Sequence, residues 1–395
     1  EMAGNGRRSA PVVDHSLHEL ITIRLIGAPP RAVRELQVLL GPSDGGFSDR
    51  PDITIDFTRG LGARDGLRYI GLNEAAFDER GFYLLGGGAE RATFDFERLG
   101  EPVEFACEPG ATVFPYLLPV IALRLLRKGH VMLHSASMMY GGRGVLVTGW
   151  QKGGKTETLL AFMASGATFM SDEWTILSPS EGRMWGIPGT LQVWDWHLRQ
   201  LPEYWGRLRP AERARLRLVR IYQRAYAVLP PGLRGSGLVG GWLRRLSQDG
   251  GVSLVGQVRS RPERLFGGHV WRGPADIDVL LLAGIAPDIS VSPVDPAEVA
   301  SRMAASLEYE RRSLMARYQQ FRYAFPDRRN AFLETASERE RDLLEQTLIG
   351  RRCYEVRHPY PVALENLYAV CAPLIAGGNQ EPSDEAVSTT LGAKS

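Results

Sequence analysis

Lysine is almost missing from this 395-residue chain: of 47 basic residues only Lys128, Lys152, Lys155 and Lys394 are lysine, and the rest are arginine. A general preference for arginine accounts for most of that, yet two of the four lysines fall within four residues of each other. Cysteine is also sparse. Cys107, Cys353 and Cys371 are odd in number, far apart and free of any C-x-x-C spacing, which argues against a disulfide framework or a zinc site and for a reducing setting. No apolar run reaches the roughly 18 to 20 residues a membrane span needs, and the opening EMAGNGRRSAPVV carries no apolar signal core. A cytoplasmic protein with no membrane partner is expected. Net charge is nearly absent, at +2, so nothing global points to nucleic acid.

What is present is the composition of a globular protein, 44% apolar and 23% charged. Residues 1–13 and 378–395 are small and polar and read as loose tails. Residues 14–127 hold short alternating segments (ELITIRLI, DITIDF, RYIGL, GFYLLG, RATFDF) between Gly, Asp and Pro clusters. That spacing predicts a mostly-β N-terminal domain, with VRELQVLL as a helix. An apolar helix over 115–127 closes it, its internal proline expected in the first turn.

From 128 to 377 the pattern becomes α/β. HVMLHSASMMYGGRGVLVTGW reads as two strands joined at a Gly-rich turn, KTETLLAFMASG as a helix ending at Gly166, and ATFMSDEWTILS as a further strand. Residues 198–264 hold fourteen arginines against four acids and no lysine, and read as an inserted, partly helical segment with a basic surface. ADIDVLLLAGI is a buried strand, and one long helix or two follow from Asp295 as cap and Pro296 at the first helical position.

The chemistry is concentrated in GWQKGGKT, Gly149 to Thr156, which fits G-x-x-x-x-G-K-[ST] between a strand and a helix. Such a loop turns successive backbone N–H groups toward phosphate oxygens, and side chains at the glycines would obstruct that approach. Trp150, Gln151, Lys152, Gly153 and Gly154 complete the loop. Lys155 brings a cation to the β and γ phosphates, Thr156 a hydroxyl to Mg²⁺, and Glu157 sits in the first turn of a helix whose positive end faces the anion. ATP and Mg²⁺ are the expected cofactors. Sixteen residues beyond Thr156 come Asp172 and Glu173. On a continuous strand their side chains would alternate, one toward the transferred phosphoryl group and one toward the metal shell.

His134 in LHSAS, the loop itself and the pair SDE on the following strand together resemble the HPr serine kinase/phosphorylase family, firmly over residues 128–178. RHPYPVALENLY resembles the closing segment of the HPr-kinase-like proteins found beside peptide-modification genes. The resemblance implies a P-loop core shared with phosphoenolpyruvate carboxykinases and an ATP- and Mg²⁺-dependent kinase acting on a Ser/Thr hydroxyl. Asp172 would be the general base, Lys155 would steady the moving phosphoryl group, and His134 would orient Asp172. Thr156, Asp172 and Glu173 would hold the metal.

The implied partner is a hydroxyl-bearing peptide or small protein, and family members form homo-oligomers. A small-molecule hydroxyl kinase and a non-catalytic nucleotide-binding regulator remain as alternatives. The chain departs from the family pattern at Trp150 and Gln151, where a small residue and a serine are usual, and at Glu173, where a second aspartate is usual. The glycine-rich signature of the reverse, phosphorylase reaction is not recognisable. Arg259, Arg261, Arg264, His269 and Arg272 are candidates for a transition-state cation, and WDWH (Trp194–His197) for stacking on adenine or lining a peptide groove. Cys353 has no basic partner in sequence. Nucleic-acid binding through the arginine-rich segment lacks an accompanying aromatic or helix-turn-helix signal.

Overall fold

The computed structural model describes residues 10–46, 49–58, 61, 67–71, 75–78, 81–85, 91–111, 114–228 and 256–377. The segments read as tails at 1–9 and 378–395, and the LPPGLRGSG and GLVGGW clusters of the arginine-rich segment, lie outside these residues.

The alternating segments form a mixed sheet. Its strands are β1 (Val12–Leu17), β2 (Ile21–Ile26), β3 (Ile53–Asp56), β4 (Arg68–Ile70), β5 (Ala75–Asp78), β6 (Gly81–Leu85), β7 (Arg91–Phe94) and β8 (Val103–Cys107). Their spatial order is β1-β2-β3-β8-β7-β6-β5-β4. The β2, β3 and β8 run is parallel, and α1 (Pro30–Leu40) provides the crossover between β2 and β3. β1 begins at Val12, inside the stretch expected to be a loose tail. The apolar helix α2 (Phe114–Arg127) follows, with Pro119 in its interior. That proline lies beyond the first turn, where its missing N–H would have cost nothing, so it removes one intrahelical bond.

The second sheet is built around β9 (Val131–Tyr140) and β10 (Arg143–Thr148), an antiparallel hairpin. Its turn needs φ of 57° at Gly141 and 76° at Gly142, values open to glycine and strained for other residues. After α3 (Lys155–Met163), the expected single strand appears as β11 (Thr168–Ser171) and β12 (Trp174–Ser178), both paired with β9. Next come β13 (Arg183–Gly186), β14 (Leu191–Trp194), α4 (Asp195–Gln200), α5 (Pro202–Gly206) and the arginine-rich α6 (Pro210–Val228). β15 (Gln257–Ser260) pairs with β14 as a separate ribbon, and α7 (Pro262–Phe266) and β16 (Ala275–Asp276) lead back to the sheet.

β17 (Val279–Ile285), β18 (Ser290–Pro293), the 29-residue α8 (Pro296–Ala324), α9 (Ala331–Glu334), α10 (Ala336–Leu348), β19 (Arg352–His358) and α11 (Leu364–Ala376) complete the described chain. α8 is a single helix capped as expected, with Asp295 accepting from the Ala297 N–H. β10, β17 and β19 are parallel neighbours, so the protein is mixed α/β.

Alternation along β10 assigns its two faces. Val145 and Val147 join Leu159 and Phe162 of α3 and Leu367 and Cys371 of α11, whereas Leu146 packs with Leu280, Met303 and Leu307 on the α8 side. The far half of α8 crosses to the first sheet, where Leu314, Tyr318 and Phe321 share one core with Ile23, Phe105 and Ile121. Arg124 and Lys128 both reach the Asp52 carboxylate at 2.8 Å, tying the end of α2 to the start of β3. No helix among the described residues is long and apolar enough to cross a membrane.

Candidate active site

Gly149 leaves the carboxyl end of β10, and the ends of β17 and β19 lie beside it. This is the crevice where open α/β sheets place their ligands. Gly149 and Gly154 have φ of 147° and 100°. A Cβ at Gly149 would lie 2.3 Å from the Ala283 carbonyl of β17, and one at Gly154 would lie 2.0 Å from Nε2 of His358 on β19. The glycines are therefore demanded by the strands behind the loop, a reason additional to the expected approach of phosphate. Lys152 is a non-glycine residue at φ 60°, so the loop between Gln151 and Gly154 has the left-handed turns that make an anion nest.

Lys155 is buried at the first position of α3 and donates to the carbonyls of Gly149 and Trp150 at 3.1 and 3.0 Å. Burial lowers its pKa from the ordinary value, with Glu173, Asp172, Glu310 and Glu157 pulling the other way. Trp150 is half-exposed, its ring 4.9 Å from that of Tyr309.

The acid pair falls in the gap between β11 and β12. A register shift between Phe169 and Ser171 ends the first ladder, and Trp174 opposite His134 begins the second. Ser137, Ser171 and Thr175 hydrogen-bond one another at 2.8–3.1 Å beneath the gap, satisfying polar groups that a continuous strand would have left to alternate. Released from that alternation, the two acids part. Asp172 turns inward and its Oδ1 accepts from Thr156 Oγ1 at 3.0 Å. Glu173 remains half-exposed. Burial first, and then the Glu173 charge, raise Asp172 to about 7, while the Thr156 bond opposes the shift.

His134, expected to orient Asp172, is hydrogen-bonded instead to other acids. Its Nδ1 lies 2.7 Å from Glu310 Oε1 and its Nε2 3.4 Å from Glu173 Oε2, and its ring stacks on Trp174 at 5.0 Å. Burial alone would lower its pKa, but these two carboxylates outweigh burial and raise it. Glu310 also accepts from Gln151 Nε2 at 2.8 Å, so α8 holds both the loop and the histidine. Sequence reasoning missed Glu310, although a signal existed. Met303, Leu307, Leu314 and Phe321 lie on one apolar stripe at steps of four, seven and seven, and Glu310, three residues past Leu307 and four before Leu314, stands where an apolar residue belongs.

Glu157 is buried on the opposite side of the loop. The Trp194 N–H donates to His197 Nδ1 at 3.1 Å, so Nε2 carries the proton and donates to Glu157 at 3.1 Å. Burial would raise Glu157, but His197 holds its pKa below the usual range. The WDWH residues thus divide. Trp194 lines the cleft, His197 is buried beneath it, and Trp196 meets Tyr360 edge-on at 5.4 Å.

Around the loop lies a cleft of about 680 Å³, within the range for small-molecule sites. Its polar floor comprises His134, residues 151–157, Asp172 and Glu173, and its other wall includes Trp194, Ile285 and Tyr360. Asp172 and Glu173 also border a second cleft, of about 230 Å³, which Arg259 enters. The remaining cation candidates lie elsewhere. Arg264 binds Glu212 and Ser260, Arg272 pairs with Glu263, and Arg261 and His269 are exposed without lining either cleft. Cys353 is buried and its thiol is pushed up to about 11, which suits packing rather than reaction.

Among the described residues no three His, Cys, Asp or Glu side chains form a metal-holding group. Thr156 with the adjacent carboxylates is nonetheless an all-oxygen set of the kind Mg²⁺ accepts when phosphate and water complete its shell. No protein-family model matches the chain, and no curated protein matches it in sequence.

Proposed function

We propose that this protein is a P-loop phosphotransferase of the HPr-kinase-like type that moves the γ-phosphoryl group of ATP to a hydroxyl. The carrying observation is the 3.0 Å contact between Thr156 and a buried Asp172 whose pKa lies about 7, at the mouth of a glycine-lined loop. Loop, lysine, hydroxyl and acid come from three separate elements and converge on one cleft. Phosphoryl transfer asks for positioning and charge stabilisation, which is what such a set supplies.

In this reading the loop N–H groups and the α3 N-terminus bind the phosphates. Lys155 exchanges the Gly149 and Trp150 carbonyls for phosphate oxygens as nucleotide enters. The acceptor oxygen bonds to the γ-phosphorus while the bond to the β–γ bridging oxygen breaks, and ADP departs with that electron pair. The acceptor proton passes to Asp172, whose pKa near neutrality suits a general base. Mg²⁺ would be held by Thr156, Asp172 and Glu173 and, when bound, would neutralise charge on the β and γ phosphates. His134, bonded to Glu173 and Glu310, holds Glu173 and, through Glu310, Gln151 in place.

The test is transfer of the γ-phosphoryl group from ATP to peptide and small hydroxyl acceptors. In the Asp172→Asn variant, turnover is expected to fall by about 10²–10⁴-fold while affinity for an ATP analogue is retained. Unchanged turnover would refute the role of Asp172, and transfer to no hydroxyl acceptor would count against the kinase reading.

A further inference from the structure

Asp172 and Glu173 face two clefts, and the nucleotide accounts for only one. The second is walled by Leu39 at the end of α1, Leu118 of α2, Trp174, Ile187, Thr190 and Arg259. At about 230 Å³ it falls below the usual range for a whole ligand and suits one side chain or a fragment of similar size. Two of its walls belong to helices of the N-terminal half, so that half contributes directly to the ground beside the acid pair.

Arg259 is placed there by the β14–β15 ribbon. It stands directly opposite Gln192, and opposed residues of an antiparallel pair share a face. Gln192 lines the nucleotide cleft and Arg259 the second one, so the ribbon presents one residue to each. Arg259 is exposed and, among the described residues, has no hydrogen-bond or ion-pair partner. A lone guanidinium and two carboxylates line the same small, otherwise largely apolar cleft, which so carries charge of both signs. A hydroxyl belongs beside Asp172 and an anion beside Arg259, whose planar fork can take a carboxylate through two N–H groups.

Building on the kinase reading, we propose that this second cleft receives the phosphate acceptor, and that Arg259 selects acceptors bearing a carboxylate near the hydroxyl that Asp172 deprotonates. The apolar walls hold the carbon skeleton between the two groups. The transferred phosphoryl group then crosses from one cleft to the other at their shared edge, Asp172 and Glu173.

The experiment uses the full chain and two matched pairs of probes. One pair is acetyl-Leu-Ser-Glu-amide with acetyl-Leu-Ser-Gln-amide, and the other is 3-hydroxybutyrate with its amide. Binding of the Mg²⁺ complex of a non-hydrolysable ATP analogue is measured first, and each probe is then titrated calorimetrically into the loaded protein. In at least one pair the carboxylate member is expected to bind about tenfold more tightly than its neutral twin. Arg259→Gln should abolish that preference while leaving the neutral twin and the nucleotide analogue unchanged, and Arg259→Lys should restore part of it. The responding pair identifies a peptide or a free hydroxy acid as the source of the chemistry. Nucleotide binding with no carboxylate preference in either pair, or a preference surviving Arg259→Gln, overturns the acceptor proposal alone. Failure to bind nucleotide overturns the kinase reading and this proposal with it.

Discussion

Asp172 shows how the surroundings of one side chain set its affinity for a proton. Removing a carboxylate from water disfavours its charge, the neighbouring Glu173 disfavours it further, and the single Thr156 hydroxyl restores only part. The resulting pKa of about 7 predicts a particular pH profile. In the metal-free protein the Asp172 carboxyl, followed by ¹³C NMR, should therefore titrate with a midpoint of about 7. A midpoint at the ordinary carboxylate value of about 4 would contradict the assignment. At Gly154 the controlling neighbour is His358, whose ring occupies the space a Cβ would need. The sequence identifies the glycine, but not the strand-end histidine behind it, because that contact spans some two hundred residues.

The loop and the long helix are the elements most legible in the sequence, and for a common reason. Each carries its constraint locally: left-handed turns require glycine, a helix start favours Asp-Pro, and a phosphate cradle needs Lys and Thr at fixed offsets. The break between β11 and β12 is not legible in this way. Its bulge and its buried Ser137, Ser171 and Thr175 cluster depend on β9, and Ser and Thr look no different in a continuous strand. Glu310 was detectable only as a flaw in an apolar stripe, and its partner His134 lies on another element.

Between α2 and the first sheet the decisive residue is Asp52. Burial would raise its pKa, but Lys128, the Thr22 N–H and Arg124 outweigh burial and hold it below the usual carboxylate range. A depressed folded-state pKa contributes stability above the unfolded value and loses it as pH falls through the folded one. Asp52→Asn should therefore cost about 2–3 kcal/mol at pH 7 and progressively less as the pH is taken below the ordinary carboxylate range, as measured by urea unfolding. A loss that does not change with pH would show that packing, not charge, holds α2 there.

At the scale of the whole molecule, α8 is the common support. Its first half packs on the second sheet through Met303 and Leu307, its second half on the first sheet through Leu314 and Phe321, and between them Glu310 reaches the histidine and the loop. Arg311 beside it is paired with Glu340 of α10 in the interior. The smaller cleft opens where the two halves meet, partly walled by α1 and α2, and the nucleotide-sized one lies wholly on the second half. The boundary near residue 128 is thus a change of sequence pattern across which the core continues. A crystal structure with a non-hydrolysable ATP analogue and magnesium tests the central claim most directly. The account predicts the triphosphate wrapped by residues 149–156, Lys155 on its terminal oxygens, one cation touching Thr156 and Asp172, and the γ-phosphorus facing the second cleft. A triphosphate bound elsewhere, or one whose terminal phosphorus points away from Asp172, would contradict it.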